Sequence, residues 1–342
     1  MKVIFFNRQH ELDKLIRLVF TEPNMITFIY GPINSGKTAL MMELTRRLSD
    51  EYVAFYINLR RTPVMSYDDF IDVLFSVEFR SKVKTLKEAV SLILSAGKEV
   101  LGFPIPTPIL EGIIREKKPK NAFAYIATLI EEVKKAGKKP ILILDELQVI
   151  GDLKINGPLI YELFNFFVHL TKERHLSHVF VVTSDSLFID KVYNEAMLQG
   201  RAEYFLVDDF DRETAVEFLK NQGFSINEAE LVWEYFGGKP VYLVESIKHK
   251  DELKEWCESQ LRLRVQAVNA LIHGRKSLAR LLKEFQDKEE IPFNGVISRP
   301  LRRLVKANIL FVDPLKGVVR PQGKLELLAI RKALKLKPNV ET

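Results

Sequence analysis

The chain has 342 residues, 47% hydrophobic and 28% charged, with no low-complexity tract, which excludes a disordered chain and suits two or three folded domains. Its one cysteine, Cys257, excludes a disulfide framework and a cysteine-rich zinc site and fits a reducing, intracellular setting. Of the net charge of +6, residues 1–258 carry 33 basic and 38 acidic side chains while residues 259–342 carry 18 and 7, so the positive charge is segregated in the last quarter, as in a polyanion-binding domain.

The opening, MKVIFFNRQH, holds too short an apolar run for a signal peptide. The most apolar later stretch, 89–114, is interrupted by Lys98, Glu99, Glu111 and three prolines, so no membrane span is expected and a cytoplasmic protein is. Residues 25–30 (MITFIY) read as a buried strand ending in Gly31, and 37–48 as a helix. Residues 52–59, 141–144, 179–183 and 204–207 are further strand candidates, with helical patterns near 67–79, 84–97, 121–136 and 159–173. Short apolar strands alternating with helices imply an α/β domain with a parallel sheet covered on both faces, ending near residue 210. Pro104, Pro106 and Pro108 argue against a regular helix in 98–120, which reads as a loop or arm, one of whose uses is to dock a protein partner.

Beyond the α/β domain, Asp211 is an N-cap candidate for 212–221, and 228–236 and 241–249 complete a small helical domain over 211–258. Helices near 259–272, 277–286 and 295–307 precede apolar runs at 309–312 and 318–320, joined by a turn-rich Asp313-Pro314-Leu315-Lys316-Gly317. Three helices plus a hairpin is the pattern of a winged helix, assigned here to 259–342 with its basic tail.

The chemistry is concentrated in two motifs. Gly31-Pro32-Ile33-Asn34-Ser35-Gly36-Lys37-Thr38 matches G-x-x-x-x-G-K-[ST] in full, after a strand and opening a helix, and Ala39 continues it. Glycines let successive N–H groups curl round phosphate at the helix N-terminus, Lys37 supplies charge to the β and γ phosphates, and the Thr38 hydroxyl suits Mg²⁺. Ile141-Leu142-Ile143-Leu144-Asp145-Glu146 puts Asp145 at the end of a buried strand, where it would support Mg²⁺, and Glu146 beside it as acceptor of a proton from attacking water. That favours hydrolysis over transfer to a small metabolite. Ser184, with Thr183 next, is the candidate sensor of the γ-phosphate at the end of the fourth strand. Arg201, in a Gly-Arg before the fifth, is a candidate transition-state cation in cis or from a neighbouring subunit.

This order of phosphate loop, Asp-Glu strand, sensor strand, Gly-Arg, helical lid and winged helix resembles the archaeal ATPase family, a STAND-type branch of the AAA+-like P-loop ATPases, over residues 3–330. The resemblance implies ATP rather than GTP, which agrees with the lack of an N-K-x-D motif, and a sheet of order 5-1-4-3-2. It implies a contact near adenine for the segment Phe5-Phe6-Asn7-Arg8-Gln9-His10-Glu11-Leu12, where Arg8 and Glu11 fit the family pattern while Asn7 replaces its glycine and Gln9 its glutamate. It also implies that Pro240, in Gly238-Lys239-Pro240, brings the lid to the nucleotide, and it supports Arg201.

In the basic domain, Val296, Leu301, Leu304 and Val305 are expected on the core face of the third helix, and Arg299, Arg302, Arg303 and Lys306 on another face, as for a helix lying in a DNA major groove. Lys316 at the hairpin tip would meet backbone phosphate, with Lys324, Arg331, Lys332, Lys335 and Lys337 extending the field. The expectation is a Mg²⁺-dependent ATPase switch whose nucleotide state moves a domain that contacts double-stranded DNA, with homo-oligomerisation open. The alternatives are a nucleotide-gated scaffold for a protein partner and an initiator-like DNA-binding regulator with little turnover.

Overall fold

The structure, a computed structural model, describes residues 5–61, 63–75, 83–150, 159–194 and 198–335. Lys337 lies outside the described residues.

Six parallel strands form the central sheet: β1 (Ile26–Tyr30), β2 (Tyr52–Asn58), β3 (Glu99–Leu101), β4 (Lys139–Asp145), β5 (His178–Thr183) and β6 (Ala202–Leu206), in the order β3-β2-β4-β5-β1-β6. The expected 5-1-4-3-2 order is present, with β3 added at the edge. Alternate side chains serve two cores. Ile29, Ala54, Ile141, Ile143, Phe180 and Val182 pack with α1 (Gln9–Val19) and α2 (Lys37–Arg47). Phe28, Val53, Phe55, Leu142, Leu144 and Val181 point the other way. There they meet α3 (Tyr67–Leu74), α4 (Leu86–Ser95), α5 (Thr107–Glu116), α6 (Pro119–Lys135), α7 (Leu159–Val168) and α8 (Ser186–Tyr193).

The 98–120 segment departs from the expected arm. Phe103 and Ile105 are fully buried, Phe103 stacks on Phe55 at 4.7 Å, and the Tyr125 hydroxyl donates to Pro104 O at 2.8 Å. α5 forms in spite of the prolines because Pro108 falls in its first turn, where a missing N–H leaves no intrahelical bond unmade. The segment is therefore part of the core, with only Leu101 and Ile109 offering apolar surface.

The lid holds α9 (Arg212–Asn221), α10 (Ile226–Phe236) and α11 (Pro240–Lys248). Asp211 caps α9 by accepting from the Thr214 N–H, and Ser225 with Glu228 forms a capping box on α10. α12 (Leu253–Ile272) runs through the expected boundary at 258. Its Leu253, Trp256 and Cys257 pack in the lid core, and its Val265, Val268 and Ile272 in the C-terminal core. Burial pushes the Cys257 thiol up to about 12, an inert core position.

The C-terminal part continues with α13 (Lys276–Lys283), β7 (Ile291–Pro292), α14 (Arg299–Lys306), β8 (Leu310–Asp313), β9 (Val318–Pro321) and α15 (Lys324–Lys335), with an antiparallel sheet in the order β7-β9-β8. Leu301, Leu304 and Val305 are buried as expected, but Val296 is 63% exposed, because α14 starts only at Arg299, behind the Ser298 cap and with Pro300 in its first turn. The basic tail up to Lys335 is the helix α15, whose apolar face is core: Leu325 enters the lid cluster, Leu327 and Ile330 the C-terminal one, and Glu326 pairs with Arg264 at 2.8 Å. Among the described residues no helix is long and apolar enough to cross a membrane.

Candidate nucleotide site

The phosphate loop leaves β1 at Gly31 and enters α2 at Lys37. A Cβ on Gly31 would stand 2.1 Å from Val207 O, so the loop passes too close to the end of β6 for any side chain there. Lys37 is buried, with Nζ donating to Gly31 O at 3.1 Å and Pro32 O at 2.7 Å, and lying 3.4 Å from Ser35 Oγ. Burial, reinforced by Lys239 and opposed by Glu146 and Asp145, brings its ammonium down to about 8.

Thr38 Oγ1 donates to Asp145 Oδ2 at 2.7 Å, and the Tyr56 hydroxyl donates to the same oxygen at 2.8 Å. Burial, then the charge of Asp145, holds the Tyr56 phenol well above its ordinary value, so it remains a donor. Asp145 Oδ1 is buried with no hydrogen-bond partner. A buried carboxylate oxygen left open beside a hydroxyl in contact with a triphosphate loop is the donor set of a hard divalent cation, and these residues fit Mg²⁺.

Glu146 follows with φ +65, in the left-handed region, so its side chain leaves the line of β4. Its N–H donates to Val182 O at 2.8 Å. Its carboxylate receives Arg60 Nη2 at 3.1 Å, Ser184 Oγ at 3.3 Å and the Gln148 amide. Ser184 is thus brought to Glu146, whereas Thr183 turns to Gln148. Arg60 and Gln148 were missed by sequence reading. Gln148, two residues past the acid pair, left a signal in spacing. Arg60, just past the end of β2, left none.

Arg201 is not brought to this site. Its carbonyl accepts from Ile26 N, at the N-terminal ends of β1 and β6, while the phosphate loop leaves the C-terminal end. Four residues of extended strand, roughly 13 Å, separate the two ends, so Arg201 would reach a phosphate only from a second copy of the chain.

Arg8 is a brace. Its Nη2 donates to Ser35 O at 2.9 Å and to Asp208 O, its Nη1 meets Glu11 at 2.8 Å, and its guanidinium lies 4.3 Å over the Phe210 ring. Asn7 stands at φ +56, a conformation that asparagine tolerates where the family pattern has glycine. Above the loop, a cavity of about 470 Å³ is lined by Phe5, Phe6, Ala39, Phe210, Phe218 and Pro240, apolar walls suited to a nucleobase. Pro240 of the lid and Gly36 of the phosphate loop lie together on its wall. Lys239, also missed as a participant, is buried, with Nζ donating to Ile33 O at 3.1 Å and pairing with Asp209 at 3.0 Å.

The C-terminal hairpin closes onto the same loop. Gln322 Oε1 accepts from Ile33 N at 3.1 Å, Arg320 pairs with Asp208 at 2.6 Å, and the Tyr30 hydroxyl donates to the buried Asp313 at 3.0 Å. Burial works to raise the Asp208 carboxyl, but Arg320, together with the Asp209 N–H and Lys316, holds the group below its usual range. Phe311 of β8 joins the core of the α/β domain, and Val312 N donates to Ser186 Oγ at 3.2 Å. Lys316, expected to face DNA, instead lies 4.0 Å from Asp208 because the hairpin tip rests on the α/β domain. Arg299, Arg302, Arg303 and Lys306 are exposed on α14, with Arg302 near enough to Asp190 of α8 to lower its carboxyl against the larger effect of burial.

A phosphate loop after β1, an acid pair closing a neighbouring but one strand, and a lid over the cleft define a P-loop NTPase fold with an appended C-terminal domain. The model of the ATPase domain predominantly from Archaea matches residues 5–246, and the chain belongs to that family. The C-terminal domain of uncharacterized MJ1010-like ATP-binding proteins matches residues 244–334. An uncharacterized ATP-binding protein of Pyrococcus abyssi is 69% identical, with 97% of this chain and 99% of the relative covered. Another from Methanocaldococcus jannaschii is 45% identical, over 96% and 97%. The Walker-type ATPase PABY2304 of Pyrococcus abyssi has a similar structure, with a TM-score of 0.66 at 18% identity over 96% of both chains. The ORC2 protein of Aeropyrum pernix follows with 0.54 at 14%, over 98% and 96%. At these identities the structural likeness speaks for the fold alone.

Proposed function

We propose that this protein binds and hydrolyses ATP with Mg²⁺ and uses the nucleotide state to dock or release its C-terminal domain. The observation that carries the reading is the buried, unpartnered Asp145 Oδ1 beside Thr38, with Glu146 one residue on. Phosphates would lie in the loop against Lys37 and Thr38, with the base in the cavity under Phe5, Phe6 and Pro240. Bound there, Mg²⁺ would neutralise charge on the phosphate oxygens, held by Thr38 and Asp145. Glu146 accepts a proton from water as the water oxygen bonds to the γ-phosphorus and the bond to the bridging oxygen breaks, giving ADP and phosphate. Ser184 keeps Glu146 in place.

The switch reading is supported by Gln322 occupying the Ile33 N–H: a group of the C-terminal domain and the nucleotide share one loop. A nucleotide that rearranges this loop competes with the docked hairpin, so occupancy and release are linked. We read 253–335 as a winged helix whose α14 presents Arg299, Arg302, Arg303 and Lys306 to DNA once Lys316 and the hairpin leave Asp208. The docked hairpin favours a second reading, a nucleotide-gated scaffold for a protein partner.

The test is phosphate release from ATP and Mg²⁺, with and without duplex DNA at low salt, for wild type, Lys37→Ala and Glu146→Gln. Turnover lost in both variants and stimulated by DNA supports the ATPase and its DNA output. Turnover indifferent to DNA transfers the output to a protein partner. No turnover in wild type overturns hydrolysis.

A further inference from the structure

We propose that Gln148 is the positioning residue for Glu146, the last link of a hydrogen-bond relay of fixed direction that starts in the turn between β5 and α8, and that Glu146 takes its proton on Oε1. The inference rests on the reading of Glu146 as the base. The Asp185 N–H donates to Thr183 Oγ1 at 3.1 Å, the Thr183 hydroxyl donates to Gln148 Oε1 at 2.7 Å, and Gln148 Nε2 donates to Glu146 Oε2.

Each direction is forced by the chemistry of the groups. A backbone N–H only donates, so Thr183 meets it with a lone pair and has its single proton left for Gln148. An ionised carboxylate only accepts, so the amide must turn its NH₂ to Glu146 and its carbonyl to Thr183. Thr183 is fully buried, so water does not compete for its hydroxyl. The amide itself sits on a short 3₁₀ turn, Leu147–Ile150, whose Leu147 and Ile150 are anchored in the core of the α/β domain. Glu146 is in turn held at φ +65 by its bond to Val182, a conformation that persists because its surroundings over-determine it.

The relay makes the two oxygens of Glu146 unequal. Oε2 receives Gln148 and the guanidinium of Arg60 at 3.1 Å. Among the described residues Oε1 has only the longer contact of Ser184, at 3.3 Å, whose hydroxyl also lies 3.5 Å from Oε2. The less engaged oxygen is the one with lone-pair capacity to take a proton from water, and Gln148 sets its direction by holding the other.

The test is kcat and KM for ATP in wild type, Gln148→Met, Thr183→Val, Thr183→Ser and the Gln148→Met/Thr183→Val double variant. Since a positioned base contributes about 10²- to 10⁴-fold, Gln148→Met is expected to lower kcat by about 30-fold with KM within about 2-fold. Thr183→Val should lower kcat by about 5-fold alone and add nothing in the Gln148→Met background, the signature of one relay. Thr183→Ser, which keeps the hydroxyl, should recover most of what Thr183→Val loses. A merely structural role gives additive losses that follow the unfolding midpoint, and that result, or an unchanged kcat in both single variants, overturns the relay. Absence of turnover in wild type removes the hydrolytic reading, and this inference with it.

Discussion

Gln322, just past the last strand of the C-terminal hairpin, accepts a 3.1 Å hydrogen bond from the amide of Ile33 in the phosphate loop, 289 residues earlier in the chain. The bond ties the C-terminal hairpin to the phosphate loop, the contact on which the proposed switch depends. It is flanked by Arg320 on Asp208 and Tyr30 on Asp313, so the hairpin is held along the whole C-terminal end of β1 and β6.

Gln322→Ala removes that tie without touching phosphate-binding side chains. A hydrogen bond of this kind is worth about 0.5–1.5 kcal/mol, or roughly 2- to 12-fold. Dissociation of a fluorescent ADP analogue, followed by stopped flow, should slow within that range, because the hairpin no longer competes for the loop, and adding Arg320→Ala should slow it further. Unchanged rates in both would separate the hairpin from nucleotide exchange.

Tyr30→Phe deprives the fully buried Asp313 of its hydroxyl donor while leaving the Leu315 and Lys316 amides. The expected loss in denaturant unfolding is about 1–3 kcal/mol, and Asp313→Asn in the Tyr30→Phe background should recover part of it by removing the buried charge.

Lys37 at about 8 has a folded-state value below its ordinary 10.5, because burial disfavours its charged form. The charged lysine therefore destabilises the free fold relative to the unfolded chain, and on this account stability rises as pH goes from about 8 to 10.5. Phosphate charge beside Nζ favours the ammonium, so nucleotide binding near pH 8.5 should take up a proton, and affinity should fall as pH rises above 8. Titration calorimetry in buffers of different ionisation enthalpy measures the uptake directly. No proton exchange there would place Lys37 away from the phosphates.

Gly238→Ala tests the lid hinge. An added Cβ would meet Phe210 O at 1.8 Å, a backbone atom that itself follows the Asp208-Asp209 pair. Lid and α/β domain must part, and nucleotide affinity should fall by more than 10-fold while the far-ultraviolet circular dichroism keeps its helical content. Equal affinity would mean that the lid does not shape the site.

Arg302→Gln with Arg303→Gln tests the proposed contact of α14 with DNA. Two lost phosphate contacts should reduce the slope of log affinity against log salt by about 2, with the effect uniform across duplex sequences. An unchanged slope would assign the basic face of α14 to another partner.

What local chemistry decides was legible in the residues themselves. The spacing of Gly31, Gly36, Lys37 and Thr38 dictates a phosphate loop wherever a strand precedes it. Apolar runs of four to six residues dictate the buried parallel strands, and the run ending in Asp145-Glu146 placed the acid pair. Asp211 announced its helix because caps act within four residues, while Ser225 and Ser298, which cap α10 and α14, were not read as caps. Pairwise geometry across the fold was not legible. Pro104, Pro106 and Pro108 looked like breakers because only the chain's path shows that Pro108 opens a helix and that Phe103 finds Phe55. Arg201 had the right neighbours in sequence but lies at the end of the sheet away from the phosphate loop of its own chain, since strand direction and order decide which end faces the loop. Tyr56, Gln148, Arg60, Lys239 and Gln322 carry no periodicity of their own. Each becomes part of the site only when packing brings it to Asp145, Glu146 or Ile33, and hydrogen bonds between residues distant in sequence are set by that packing.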